Sequence, residues 1–109
     1  MTQLHPDPAG AVVETVDHPD RRRYELTVDG ELAAFVTYAL HDQRITFIHT
    51  EVQAAHAGRG FGQRLARDVL DDARARGWRV RPLCPYIARY IRAHPEYQGL
   101  VAGSHDATR

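Results

Sequence analysis

Alternation of apolar and polar residues dominates the first half of the chain and predicts antiparallel strands. The run from Arg23 to Val28 alternates in this way and ends in Asp29-Gly30, the strongest short signal for a two-residue hairpin turn. A polar turn over residues 41–43 separates two further runs rich in β-branched and aromatic residues. The predicted four-stranded meander therefore consists of strands near residues 11–16, 23–28, 32–40 and 44–52.

After residue 52 the pattern changes to small residues and glycine, followed by the spacing of an amphipathic helix. Gly77 stands where a left-handed C-terminal cap is expected. Charged residues four apart predict ion pairs on the outer face of this helix: Arg64 with Asp68, Arg67 with Asp71, and Asp72 with Arg76. The predicted buried stripe consists of Leu65, Ala66, Val69, Leu70 and Ala73.

A short strand over residues 78–83 and a second helix complete the pattern. Pro85 suits the first turn of that helix, and His94-Pro95 closes it. Its apolar stripe is Tyr86, Ile87, Tyr90 and Ile91. The order β-β-β-β-α-β-α predicts an α/β (α+β) fold with a mixed, mostly antiparallel sheet in a single domain over residues 11–101. Residues 1–10 are expected to form a flexible arm, residues 102–109 a polar tail, and fraying is expected from residue 99.

Composition narrows the possible functions. The 109 residues are 43% hydrophobic, which suits one compact domain, and the formal net charge is zero, which argues against a nucleic-acid partner. Fourteen arginines and no lysine exclude Schiff-base and P-loop lysine chemistry. No apolar run approaches the roughly 18 residues of a membrane span. A cytoplasmic bacterial protein without membrane contact is expected, either a monomer or a weak homodimer.

Glycines cluster between the fourth strand and the first helix. The segment Gly58-Arg59-Gly60-Phe61-Gly62, followed by Gln63, precedes a helix N-terminus, where free N–H groups and the helix dipole favour a phosphate. A dinucleotide fold would need a third glycine at Gln63 and an acidic residue about 20 positions later, and neither is present. The alternative is a glycine-rich turn that only connects a strand to a helix.

Three separated motifs give the chain a resemblance to the GNAT acetyltransferase superfamily, over about residues 23–101. Gly60 and Gly62 match its loop pattern Gln/Arg-x-x-Gly-x-Gly/Ala, whereas Ala57 departs from it. The short branch of the family is the most similar, through His49-Thr50-Glu51-Val52, Pro82-Leu83-Cys84-Pro85-Tyr86-Ile87 and His94-Pro95-Glu96-Tyr97. The resemblance implies acetyl-coenzyme A as co-substrate and an unidentified amine acceptor, with no metal. It also implies that the loop from Gly58 to Gly62 holds the pyrophosphate, with Gln63 as a further cofactor-binding residue. The Val52 backbone is expected to pair with the pantetheine, and the fourth and fifth strands to splay.

His49 and Glu51 are candidates for acid–base chemistry. Two residues apart on one strand, they point to the same face, and a carboxylate beside an imidazole orients it as a general base for an amine. The alternative is that both are polar residues on an exposed sheet face.

Cys84 is the third catalytic candidate. It occupies the cap of the helix that begins at Pro85, where the dipole and N–H groups stabilise a thiolate that could accept the acyl group or act as a base. A buried packing cysteine is the alternative. Tyr90 falls where the resemblance suggests the acid that protonates the leaving thiolate, but it also belongs to the apolar stripe and stays outside the predicted set. A non-catalytic coenzyme A sensor or a protein-interaction module is the rival function.

Overall fold

The computed structural model describes the backbone of residues 2–6 and both backbone and side chains of residues 10–102. One sheet, two α-helices and two short 3₁₀ segments make up this part of the chain. The elements are β1 (Thr2–Pro6), β2 (Val12–His18), β3 (Arg23–Val28), β4 (Glu31–His41), β5 (Arg44–Val52), a 3₁₀ turn (Ala54–His56), α1 (Phe61–Arg76), β6 (Arg79–Pro82), α2 (Pro85–Ala93) and a second 3₁₀ segment (Pro95–Leu100).

The six strands lie in the sheet in chain order. Strands β1 to β5 pair antiparallel, and β6 joins β5 in parallel after the crossover through α1. This arrangement confirms the predicted mixed, mostly antiparallel sheet, with β2 to β5 as the predicted meander. Two-residue turns of positive φ, Asp29-Gly30 and Asp42-Gln43, connect β3 to β4 and β4 to β5.

The N-terminal residues depart from the expected flexible arm, because Thr2–Pro6 forms the edge strand β1. Its register runs from Thr2 opposite Val16 to Pro6 opposite Val12. Pro6 lies at the end of an edge strand, where the missing N–H is tolerated. Two prolines in the first ten residues hid this strand from sequence reasoning.

The C-terminal boundary also differs from the expectation that the chain frays from residue 99. Val101 forms a parallel bridge to Val80, and the Ala102 N–H donates to the Val80 carbonyl at 2.7 Å. The Arg79 guanidinium donates to the carbonyls of Gly99 and Val101. Residues 99–102 therefore dock beside β6. They include the first residue of the predicted tail 102–109, and the rest of that tail lies outside the described residues.

Both helices contact each other and cover one face of the sheet, where the hydrophobic core lies. The predicted stripe of α1 is fully buried, and Gly77 forms the left-handed C-terminal cap with a φ of 74°. Tyr24, Phe47 and Leu65 are among the largest buried side chains. No helix in the described ranges is long and apolar enough to span a bilayer.

The predicted outer face of α1 is wrong at two positions. Asp68 and Asp72 are 1% and 2% exposed and face the sheet. Asp68 accepts a hydrogen bond from the Thr15 hydroxyl at 2.8 Å, and Asp72 accepts one from the hydroxyl of Tyr24. Hydrogen-bond donors on distant strands compensate the burial of these carboxylates, which the spacing along the helix does not reveal.

Candidate functional site

The parallel pair at the sheet edge is incomplete, and the opening lies next to the glycine loop. Pairing between β5 and β6 ends at Phe47 opposite Pro82, and the Cys84 N–H then donates to the Phe47 carbonyl at 2.9 Å. Strand β5 continues to Val52, whereas the chain after Pro82 turns into α2. Backbone pairing on this side of β5 thus stops at Phe47, in the region where the resemblance implies that the two strands splay.

The glycine loop and the start of α1 form a cleft beside this open edge. Gly60 is the N-cap of α1, with a φ of 82°, and no side chain caps the helix. The first turn of α1 carries no acidic residue. An open cleft of about 490 Å³ is lined by Val52, His56, Ala57, Gly58, Gly60, Phe61, Gly62, Gln63 and Tyr86. Uncapped N–H groups at a helix N-terminus in such a cleft suit an anionic ligand.

Gly60 and Gly62 favour glycine for different structural reasons. A Cβ on Gly60 would meet no atom within 4 Å, so only its left-handed conformation favours glycine there. A Cβ on Gly62 would lie 2.5 Å from the Tyr86 hydroxyl and 3.1 Å from Val52 Cγ2. Gly62 therefore allows α2 to approach α1 closely, whereas Gly60 leaves the cleft open above the helix.

Arg59 and Gln63 flank this helix start. The Arg59 guanidinium lies 4.8 Å from the centre of the Phe61 ring, which places a cation at the loop. Gln63 lines both the loop cleft and a second cleft of about 290 Å³ that continues along α2. Every residue predicted to bind the cofactor, apart from Arg59, lines the first cleft.

The His49 and Glu51 side chains lie together on the sheet face opposite the helices. His49 Nε2 is 3.4 Å from Glu51 Oε1, with side chains 59% and 52% exposed. The ring of Phe35 contacts His49 edge-on, with centroids 6.2 Å apart. The structure thus brings the predicted pair together, in a position open to an approaching molecule.

Cys84 lies on the other face of β5. It is 2% exposed, and its Sγ is 3.1 Å from the Thr50 hydroxyl. The residue is the N-cap of α2, but its side chain makes no capping hydrogen bond. The thiol and the His49/Glu51 pair therefore flank the open edge from opposite sides.

Tyr90 packs against a neighbouring ring and also borders a cleft. It stacks on the His94 ring with centroids 3.9 Å apart, and it lines the second cleft. Burial raises the pKa of Tyr90, so the hydroxyl is protonated at neutral pH.

Sequence reasoning missed Thr50, Tyr86 and His56 as parts of the site. Thr50 contacts the Cys84 thiol, Tyr86 lines both clefts, and His56 lies buried in the wall of the loop cleft. Their positions in the sequence could have indicated two of these residues. Thr50 stands between the two predicted catalytic residues, and His56 precedes the loop position where Ala57 replaces the expected Gln or Arg.

Comparisons with known proteins agree with this geometry. A family model described as GCN5-related N-acetyl-transferase matches residues 23–100. Streptothricin acetyltransferase of Streptomyces lavendulae is 35% identical over 83 residues, which cover 71% of this chain and 44% of that protein. The chain thus spans less than half the length of this relative.

A solved structure shows the same fold. The solution structure of a GCN5-like putative N-acetyltransferase from Staphylococcus aureus matches with a TM-score of 0.61 at 20% identity. The match covers 80% of this chain and 85% of the Staphylococcus aureus chain. With the family model matching most of the sequence, this chain belongs to the GCN5-related N-acetyltransferase family.

Proposed function

We propose that this protein transfers an acetyl group from acetyl-coenzyme A to an amine. The observation that carries the proposal is the open edge of β5 beside the uncapped N-terminus of α1. Oriented N–H groups in the loop would bind the pyrophosphate. The end of β5 up to Val52 pairs with β4 on one side, and beyond Phe47 its other side would pair with the amides of the pantetheine arm. The thioester would then lie near Thr50.

The placement of His49 and Glu51 supports direct attack by the amine. The acceptor would approach from the sheet face opposite the helices, where His49 is exposed and Glu51 lies 3.4 Å from it. The amine nitrogen bonds to the acyl carbon, the carbon–sulfur bond breaks, and His49 takes the amine proton while Glu51 stabilises the imidazolium. The coenzyme leaves as a thiolate and takes a proton from solvent.

Cys84 stands on the opposite side of the same edge, and its burial favours a supporting role. Cys84 is 2% exposed, and its sulfur contacts the Thr50 hydroxyl, so it would form part of the wall behind the thioester. Covalent transfer through Cys84 stays a prediction that intact-mass measurements decide.

The acceptor is proposed only as a class. An exposed imidazole–carboxylate pair beside the Phe35 ring suits a positively charged or neutral amine. The relative from Streptomyces lavendulae is named for streptothricin, so that compound belongs in the panel of amines to be tested.

The test has two steps. Acetyl-coenzyme A should raise the Tm of the purified protein, because a ligand that binds the folded state stabilises it. Release of free thiol on addition of an amine should then exceed the release without protein. Binding without any thiol release, across a broad amine panel, would indicate a coenzyme sensor, and no binding would refute the coenzyme function.

A further inference from the structure

An aromatic ring separates the His49/Glu51 pair from an arginine on the same open face of the sheet. The strand register places Glu25, Phe35 and Glu51 in one row across β3, β4 and β5. Arg23 and His49 are the outer residues of the next row on this face. Because strands two positions apart in a sheet are separated by about 10 Å, one small molecule can contact both Arg23 and His49.

The Arg23 guanidinium is held by contacts on two sides. Its Nε donates to Glu25 Oε2 at 2.7 Å, and its central carbon lies 4.4 Å from the centre of the Phe35 ring. Both partners are themselves packed, because Glu25 is 8% exposed and the Phe35 ring contacts His49 edge-on. The planar group is therefore ordered before a substrate arrives, which lowers the entropy lost on binding.

The two terminal nitrogens of Arg23 are available to a ligand. The structure gives no hydrogen bond from Nη1 or Nη2 to any residue in the range 10–102, and the side chain is 28% exposed. Glu25 neutralises this arginine only in part, because the same carboxylate accepts from Arg21 at 2.9 Å and lies 3.3 Å from His18 Nε2. A guanidinium with two parallel N–H groups available binds a carboxylate through both oxygens.

We propose that the acceptor is an amine that also carries a carboxylate, and that Arg23 binds this carboxylate while the amine lies at His49. This inference rests on the proposed function, since it names the acceptor class of the same site. The carbon chain between the two groups lies along Phe35, whose ring face is already covered by the guanidinium and cannot also bind a cationic group. Each end of the acceptor meets the opposite charge, the carboxylate at Arg23 and the amine at Glu51.

Substrate pairs that differ only in the anionic group test this assignment. Amino carboxylates with a terminal amine, in a series of increasing chain length, are compared with the carboxamides of the same length, which carry no negative charge. Thiol release from acetyl-coenzyme A should give a kcat/KM about tenfold or more higher for the best carboxylate than for its carboxamide, since only the carboxylate accepts charge-assisted hydrogen bonds. The difference should lie mainly in KM, because this contact exists before and during the reaction alike.

A pair of variants isolates the contribution of Arg23. Arg23→Gln should remove the preference for carboxylates and leave the kcat/KM of the carboxamides nearly unchanged. Arg21→Gln is the matched control, because it removes a donor to the same Glu25 oxygen and leaves the guanidinium over Phe35 in place. The control should retain the preference. Coenzyme affinity, measured by calorimetry, should be unchanged in both variants.

The outcomes are distinct. No thiol release with any amine would refute the proposed function, and this acceptor class with it. In an active enzyme, equal kcat/KM for carboxylates and carboxamides, or turnover confined to amines without a carboxylate, would overturn the inference alone. So would a preference that survives in Arg23→Gln or is lost equally in Arg21→Gln. Should Arg23→Gln fail to fold, the comparison of the two substrate series with the wild-type protein decides.

Discussion

The hydroxyl of Tyr24 on β3 donates a hydrogen bond to the buried carboxylate of Asp72 on α1. Arg76 Nε lies 3.1 Å from the same carboxylate, and this guanidinium also approaches Asp17, which accepts from the Tyr38 hydroxyl. The helix that opens at the glycine loop is thus fixed to the sheet by a buried polar network. Its geometry leads to a stability prediction.

Unfolding at high pH should depend on Tyr24. Burial, and then the hydrogen bond to Asp72, raise the pKa of Tyr24 well above its usual range. The resulting stability is fully present below the unfolded tyrosine pKa of about 10 and is lost as the pH rises beyond it. Tyr24→Phe should therefore reduce the loss of unfolding free energy above pH 10 by up to about 1.4 kcal/mol per pH unit.

Urea titrations at several pH values between 8 and 12 measure this slope. Tyr86→Phe is the control, because the pKa of Tyr86 is also raised by burial but no carboxylate contributes to that rise. At neutral pH Tyr24→Phe should cost about 1 to 3 kcal/mol, since the Asp72 carboxylate loses a donor. An unchanged alkaline slope would contradict the assignment.

Close approach of the two helices at Gly62 should make this position intolerant of a methyl group. Gly62→Ala would place a Cβ 2.5 Å from the Tyr86 hydroxyl, and we expect a loss of about 1 to 3 kcal/mol in unfolding free energy. In a Tyr86→Ala background the same substitution should be neutral or stabilising, because alanine favours helix more than glycine. Thermal melts of the four proteins give the coupling. Additive effects would show that the clash does not cause the loss.

The glycine loop should bind the coenzyme through its backbone. Gly60→Asp places a negative charge above the helix N-terminus and should abolish detectable binding. Gly60→Asn is the matched control, since asparagine has nearly the same shape and tolerates the left-handed conformation without the charge. Calorimetric titration with coenzyme A distinguishes them. Unchanged affinity in folded Gly60→Asp would exclude this loop as the phosphate site.

The exposed imidazole–carboxylate pair should act on the acceptor and not on the coenzyme. His49→Ala and Glu51→Gln should lower kcat about 100-fold or more and about tenfold, respectively, with coenzyme affinity nearly unchanged. His41→Ala is the control, because His41 also lies beside a carboxylate, 3.2 Å from Asp42, but in a distant turn. Thiol-release kinetics and coenzyme titrations separate the two effects. A parallel loss of coenzyme binding would indicate a structural role for the pair.

Cys84 should support the site through its contact with Thr50. Cys84→Ser retains a hydrogen-bonding partner for the Thr50 hydroxyl and should keep most of the activity, whereas Cys84→Ala should lower stability by about 1 kcal/mol. Acetyl-coenzyme A without an acceptor should leave the intact mass of the protein unchanged. One acetyl adduct that disappears in Cys84→Ala, together with turnover, would establish the covalent route instead.

Much of the fold follows from local patterns. Alternation predicted β3 and β5, and β-branched and aromatic residues predicted β4 between them. The Asp29-Gly30 turn predicted the first hairpin, and Pro85 and Gly77 predicted the start of α2 and the end of α1. Each of these signals depends on neighbouring residues only. Strand β1 escaped prediction because its pairing with β2 outweighs the unfavourable prolines nearby.

The sequence by itself determined the strand and helix periods, the turns, the caps and the glycine loop, because each is set by the backbone preferences of a few adjacent residues. Only the tertiary structure decided which polar side chains meet. Thr50 reaches Cys84 across 34 residues, His56 reaches Glu31 across 25, and Asp72 faces the sheet because Tyr24, 48 residues away, offers it a donor. The position of a buried polar group depends on the hydrogen-bond partner that satisfies it, and in these pairs the partner lies on another element of the fold.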